Sequence, residues 1–334
     1  MILALALRQQ DLPPTEPAPA PDPSYELRHF NVGYGPFHYV SLALIPSLRS
    51  GFETRFPVSL EPGTFDLRLT ESWVKNLAVE DTWQMDFEIL RSNVALAWHV
   101  TEAVHLEIGV ESGHRTGGGL DTVILGFHDA FGIAVGARNE FSRNDNRIEI
   151  QPPGGGQTVV IDESNPQPYE QAALVTFQYV FSYGDEVLPA VSTSLSLRWN
   201  LDSGDVDPSG LVDLSASLGL VKEIGPFHVY LGGSYSWFGS ERFHGIKLRT
   251  TQWTATAGLE WNLHPAFSVI GQVQATSGGA SGIEQLTRAS FEVVAGAKWQ
   301  FATGMLFEIA IVENVINFYN SPDFGVHGGL SFRF

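Results

Sequence analysis

The chain has 334 residues, with 37 acidic against 19 basic side chains and a formal charge of -18, so a nucleic-acid partner is excluded by repulsion from the phosphate backbone. It has no cysteine, which rules out disulfides and thiolate metal sites. No apolar run approaches the roughly 18 residues of a spanning helix, so any passage through a membrane must be made by strands.

The opening "MILALALRQQ" is a short apolar stretch with no basic region before it. It reads either as the end of a signal peptide or as an unstructured start. Residues 11–24, "DLPPTEPAPAPDPS", form a Pro-rich acidic linker, so residues 1–24 contribute nothing to a core. Residues 25–62 are expected as an N-terminal periplasmic segment. Their "FHYVSLALIPSL" leaves open a plug, an extra strand pair or a partner-binding arm.

From residue 63 to 334 the pattern has period two, the mark of strands with one apolar face. In "QWTATAGLEW", Trp253, Ala255, Ala257, Leu259 and Trp261 alternate with Gln252, Thr254, Thr256, Gly258 and Glu260. "VSTSLSLRW", "VDLSASLGL" and "GVHGGLSFRF" repeat the scheme. About twelve such segments start near Thr64, Gln84, Ala103, Gln171, Ala190, Gly210, Pro226, Leu248, Ala266, Thr287, Met305 and Gly325. Tight links such as "VTEA", "EIGP", "LHPA" and "ATG" alternate with longer polar loops. Short turns on one rim and long loops on the other predict an all-β fold, a closed antiparallel transmembrane β-barrel of the bacterial outer-membrane type. An even strand count places both termini on the short-turn, periplasmic rim.

The alternative is a soluble sandwich or lipocalin-like barrel with the apolar faces inward. Two features oppose it. The polar faces are rich in Ser, Thr, Gly and Gln and poor in the Lys and Glu of a water-exposed surface. The tryptophans also fall near strand ends: Trp98, Trp261 and Trp299 low, Trp73, Trp83, Trp199, Trp237 and Trp253 high, as two interfacial aromatic belts. Trp253 and Trp261 lie eight residues apart on one face, about 20 Å of height at ~3.3 Å per residue and a tilt near 40°. The final strand carries Leu330, Phe332 and the terminal Phe334 on one face, a pattern like the assembly signal read by the barrel-insertion machinery.

One long extracellular loop, residues 113–169, breaks the rhythm. Leu120, Val123, Ile124, Phe127 and Phe131 recur at helical spacing, with Asp121 in the first turn, where the helix dipole favours an anion. The spacing predicts a short helix from about Leu120 to Phe131, with Leu120, Phe127, His128 and Phe131 as a lid over the barrel mouth. "RIEI" and "TVVI" are expected to pair as a hairpin above the membrane. In this region "GGGLDTVILGFHDAFG", "GAR" and "RNDNRIEI", together with "EPGTFDLRLTESWVKN" at the entry to the first strand, resemble an uncharacterised bacterial outer-membrane family, domain of unknown function 3187. The resemblance covers roughly residues 60–170. It implies an outer-membrane barrel and no catalytic or binding residues.

Candidate chemistry is sparse. His128 and Asp129 are adjacent on a helix and point about 100° apart, so they do not make an acid–base pair. Asp202, Asp205 and Asp207 lack the spacing of a calcium loop. "GGG" at 117–119 is not followed by the Lys-Ser/Thr of a phosphate-binding loop. No cofactor is expected. The polar faces carry Arg68, Glu107, Glu111, Arg198, Glu260, Glu292, Lys298 and Arg333. These would line the lumen as interior ion pairs filling a narrow barrel, or as a charged constriction. The expected function is a narrow channel or a structural component of the outer membrane, in contact with its lipid. The alternatives are a lipid-modifying enzyme and a soluble β-protein.

Overall fold

The computed structural model describes residues 32–43, 51–132, 144–152, 157–162, 167–202, 212–314 and 320–334, without the side chains of residues 127, 128, 130, 131 and 167–169. The signal-like start, the Pro-rich linker, Asp205 and Asp207 lie outside the described residues, as do the side chains of the proposed lid residues Phe127, His128 and Phe131.

Twelve long strands form the wall. They are β1 (Phe65–Glu80), β2 (Trp83–His99), β3 (Val104–Thr116), β6 (Gln167–Tyr183), β7 (Ala190–Asp202) and β8 (Val212–Ile224), followed by β9 (Phe227–Trp237), β12 (Thr251–His264), β13 (Phe267–Thr276), β14 (Ser290–Ala302), β15 (Met305–Glu313) and β16 (Phe324–Arg333). Each pairs antiparallel with its neighbours, and β16 returns to β1 in the register Asp66 to Arg333 through Lys75 to Phe324. The last residue is tied down: Phe65 N donates to Phe334 O at 2.8 Å and Phe334 N to Phe65 O at 3.0 Å. A closed ladder leaves no edge, and so it can sit in hydrocarbon. Four short elements complete the sheets. The hairpin β4 (Arg147–Ile150) and β5 (Val159–Asp162) continues the sheet beyond β2, and β10 (Arg242–Phe243) pairs with β11 (Ile246–Lys247) in a loop.

Strand parity decides which side is wet. Leu218, Leu231, Leu259 and Ile309 are 48–53% exposed on the outer surface, whereas Ser194, Arg198, Gln272, Glu292 and Lys298 are buried facing inward. This is the reverse of a soluble core, and it overturns the soluble alternative. A charge turned toward the bilayer midplane costs about 2–4 kcal/mol on such a surface, so the oily face of each strand must look out.

Six tryptophans, Trp98, Trp199, Trp237, Trp253, Trp261 and Trp299, stand on this outer surface. At the lower rim Trp98 stacks on Phe65, which stacks in turn on Phe334, and Trp261 packs against Phe227. Two tryptophans depart from the belt expected for them. Trp83 has inward parity and is buried in an apolar cluster at the upper mouth. Trp73 is half-buried, and its indole donates to Glu88 at 2.7 Å. Trp83 lies where β1 and β2 run on above the wall, so proximity to a strand end did not mean proximity to the lipid interface, whereas Trp73 is paired within the wall to Val326 and Leu90 and is covered by the loop helix.

Candidate functional site

The lumen is occupied by the chain itself. Residues 32–43 and 51–62 were expected in the periplasm, but residues 32–43 and 51–56 thread the barrel interior as irregular backbone. Such a segment has no ladder partners, and a buried amide left unpaired costs free energy. Wall side chains supply the partners one by one. Tyr34 N donates to Glu260 at 3.1 Å, Phe37 N to Gln272 Oε1 at 3.0 Å, Leu42 N to Glu292 at 3.2 Å and Arg55 N to Ser217 Oγ at 3.3 Å. In the other direction Lys298 Nζ donates to Pro36 O at 2.8 Å, Asn76 to Leu42 O at 3.0 Å, Arg198 to Gly51 O at 3.2 Å and Gln178 to Phe56 O at 2.6 Å.

Two inward glycines, Gly219 and Gly232, pair across β8 and β9 where the segment comes closest. A Cβ at Gly219 would collide with the Arg55 carbonyl, and one at Gly232 would lie 2.9 Å from the Phe56 ring. The wall is thus hollowed where the segment crosses it.

All eight residues expected to line the lumen face inward, and each has an identifiable partner. Glu292 accepts from Tyr39, Ser41 and the Leu42 amide. Glu260 accepts from Tyr34 N and the Tyr230 hydroxyl. Glu107 binds both Arg68 and Arg55, the second of these on the inner segment. Lys298 pairs with Glu308 at 2.7 Å, and Glu308 also meets His327 at 2.9 Å. Arg198, fully buried, is held by Asp213 at 2.6 Å and Glu170 at 3.3 Å, while Glu111 is bonded to Arg91. Arg333 lies 3.6 Å from Asp66 at the lower rim. Buried charges persist only when paired in this way. Neither reading drawn from the wall alone describes them fully, because six of the eight, Arg68, Glu107, Arg198, Glu260, Glu292 and Lys298, also hold the inner segment.

The rest of the site has no signal in net charge. Tyr230, Gln272, Gln178 and Asn76 look like ordinary barrel residues, and only their inward parity singles them out. His38, Glu53 and Arg55 sit in a stretch without periodicity. His38 Nδ1 lies 2.7 Å from Glu53, and Arg55 lies 3.2 Å from the same carboxylate.

The upper mouth is closed by apolar packing. Inward residues Val74, Met85, Phe87 and Ile89 join Ile148, Ile150 and Ile161 of the hairpin, Phe243, Ile246 and Leu248 of the β9–β12 loop, and Ile283 and Leu286 of the β13–β14 loop. The loop helix α1 (Leu120–Phe131) does not do this work. Its Leu120 and Ile124 pack on Trp73, Phe324 and Val326, residues that share parity with the outward Leu69 and Leu330. Glu88, on the same outer face, accepts from Leu120 N at 2.8 Å and Gly119 N at 3.1 Å, and buried Lys75 bridges Asp86 at 2.6 Å and Asp121 at 3.3 Å. The carboxylate of Glu88 at the helix N-terminus satisfies amides that have no partner within the helix. The start of the helix is therefore docked outside the wall, and Leu120, expected in a lid over the mouth, packs on the outer face instead.

Below the inner segment a cavity of about 650 Å³ remains, lined by the segment, by Arg68, His99 and His105, and by rim residues including Pro265 and Arg333. Exposed Gly225 and Pro265 place its opening at the short-turn rim. Among the described residues no cluster of His, Asp or Glu has the makings of a metal site.

A family model described as "Protein of unknown function (DUF3187)" matches residues 26–334. No curated protein matches the chain. Among solved structures, the COG4313 outer membrane channel from Pseudomonas putida F1 overlaps with a TM-score of 0.53 at 13% identity, covering 85% of this chain and all of that one. The KdgM porin overlaps at 0.44 with 6% identity over 81% of this chain and 99% of its own. The CymD monoaromatic hydrocarbon channel does so at 0.43 with 8% identity over 88% and 97%. At 13% identity the likeness to the first is one of fold.

Proposed function

The chain belongs to the DUF3187 family, and from that premise and the geometry of the lumen we propose that it is an outer-membrane channel closed by its own N-terminal segment. The observation that carries this reading is the set of hydrogen bonds by which Glu260, Gln272 and Glu292 accept from the amides of Tyr34, Phe37 and Leu42, and Lys298 and Arg198 donate to the carbonyls of Pro36 and Gly51. A structural barrel has no need of a polar seat for an irregular chain, since side chains alone fill narrow barrels. Contacts made residue by residue can also be broken without opening the wall, because every strand keeps its own ladder.

In this reading the short-turn rim and both termini face the periplasm. The strand ending in Leu330, Phe332 and Phe334 is the handle for the assembly machinery, and outer-membrane lipid surrounds the aromatic belts. The protein is a conduit and not a catalyst.

Conductance in planar bilayers tests the proposal. The intact protein is expected to be nearly silent, and a variant lacking residues 25–60 to conduct steadily. A second variant guards against misfolding: Thr54→Cys with Thr256→Cys, whose hydroxyls lie 3.4 Å apart, introduces the chain's only cysteines and locks the segment to the wall. Brief openings of this full-length double-cysteine variant should vanish on oxidation and return on reduction. Silence of the deletion variant, once heat-modifiable gel migration shows it folded, would overturn the channel.

A further inference from the structure

One ring of the inner segment stands between a wall cation and a carboxylate of the segment itself. His38 Nδ1 lies 2.7 Å from a Glu53 oxygen and 2.6 Å from Arg68 Nη1, and His38 Nε2 lies 3.2 Å from the same guanidinium nitrogen. A guanidinium only donates and a carboxylate only accepts. A neutral imidazole keeps one lone pair in either tautomer, so it can accept from Arg68. The imidazolium has none. It can donate to Glu53, but it meets Arg68 as cation to cation. Arg68 belongs to β1 of the wall and Glu53 to the returning limb of the segment. Protonation therefore exchanges a bond between segment and barrel for one within the segment.

The surrounding charges give that exchange its consequence. Arg55 and Arg68 face Glu53 and Glu107. Glu308 of β15, whose charge reaches the ring, is held by Lys298 of β14 and also meets His327 of β16. Arg333 stands beside Asp66. Each carboxylate around the ring thus has a cation already. A proton on His38 adds a positive charge that none of them is left to match, and an unmatched charge held away from water is costly. The wall cannot relieve the cost without breaking its ladder. The segment can, by leaving the wall and admitting water.

The proton has a route. The His38 side chain is 25% exposed and lines the cavity that opens at the short-turn rim. Five of the ten histidines line that cavity, and of these five only His38 lies on the segment.

We propose that His38 is a proton switch on the closing segment: a proton arriving from the short-turn rim breaks the contact with Arg68, and the segment leaves the wall. The inference rests on the channel reading for its meaning as a gate, although release of the segment is measured without conductance.

The experiment is hydrogen exchange of the full chain in detergent micelles, corrected for the intrinsic rate, from about pH 7.5 to about pH 5.5, where an imidazole changes charge and ordinary carboxylates do not. Protection of residues 32–43 and 51–56 should fall about tenfold on acidification while the strands keep theirs. His38→Gln, which offers Arg68 an acceptor and takes up no proton, should hold the segment's protection level across the range. His38→Lys, with a fixed charge, should show the loss already at the upper pH. Should the glutamine variant fail to fold, His38→Asn replaces it. His99→Gln and His327→Gln should respond as the intact protein does. Protection indifferent to pH in the intact protein would overturn the switch. So would a response that survives in His38→Gln, or one that vanishes in His99→Gln or His327→Gln. Acid release of the segment alongside a silent deletion variant would leave the switch standing and sink the channel. Protection indifferent to pH alongside a conducting deletion variant would do the reverse.

Discussion

The barrel wall and the segment inside it satisfy the same requirement in opposite ways. In the wall the backbone of twelve strands is paired strand to strand, in a repeating register closed by β16 on β1. In the segment, backbone groups are met one at a time by wall side chains: a carboxylate at Tyr34, an amide oxygen at Phe37, a lysine at Pro36. A ladder is cooperative and indifferent to which side chains it carries. A seat made of single contacts depends on every one of them. The comparison predicts that mutations of inward residues fall into two groups, those that damage the barrel and those that free the segment while the barrel survives.

The largest effect should come from the wall's own buried charges. Arg198→Ala removes the buried cation that holds Asp213 and Glu170, and breaking a buried pair from one side costs about 3–5 kcal/mol. The temperature at which the folded gel band converts to the unfolded one should fall markedly. An unchanged temperature would mean that the lumen is wetter than the packing around Arg198 indicates.

Glu292→Leu comes next. It removes the acceptor of Tyr39, Ser41 and the Leu42 amide, bonds to a charged group worth about 1.5–3 kcal/mol each. The barrel should keep its gel shift while the segment becomes accessible to protease and conductance rises. Loss of the gel shift together with the segment would erase the distinction between the two regions.

Gly219→Val sharpens the same point, because its side chain would occupy the place of the Arg55 carbonyl. The segment should be displaced near residues 54–56 and openings should lengthen, with an effect smaller than that of Glu292→Leu because only one crossing is disturbed.

The smallest effect belongs to a rim turn. Asp185 accepts from Val187 N at 2.7 Å and Leu188 N at 2.6 Å, and these amides hold its carboxyl below the ordinary range. Its contribution is present above the usual carboxylate pKa and is lost as pH falls through the lowered value. Asp185→Asn should shift the gel conversion slightly at pH 7 and not at all once the native carboxyl is protonated.

Much of this architecture was legible from alternation alone. "QWTATAGLEW" and "GVHGGLSFRF" declare two faces, and the strand count followed because tight links such as "EIGP", "LHPA" and "ATG" alternate with longer polar loops. The helix over Leu120–Phe131 and the pairing of "RIEI" with "VVID" were also within reach of local pattern. The eight lumen charges were found by parity. What the helix packs on was not legible, because Leu120 and Ile124 suit either a mouth or an outer wall. Trp83 misled for a related reason: strand β2 outlasts the membrane, and its upper turn joins an apolar cap. The site itself was hidden most deeply. Residues 32–56 have no period, since no regular element shapes them, and Tyr230 or Gln272 becomes meaningful only when a backbone amide arrives beside it.

The sequence by itself determined the period-two wall, its inside-out polarity and its closure at Phe334, because these follow from interactions repeated every second residue between neighbouring segments. Only the tertiary structure decided what fills the lumen, where the helix docks and which charges answer which. Those outcomes depend on groups more than two hundred residues apart, such as Tyr34 with Glu260 and Leu42 with Glu292, and no local pattern encodes a meeting at that distance.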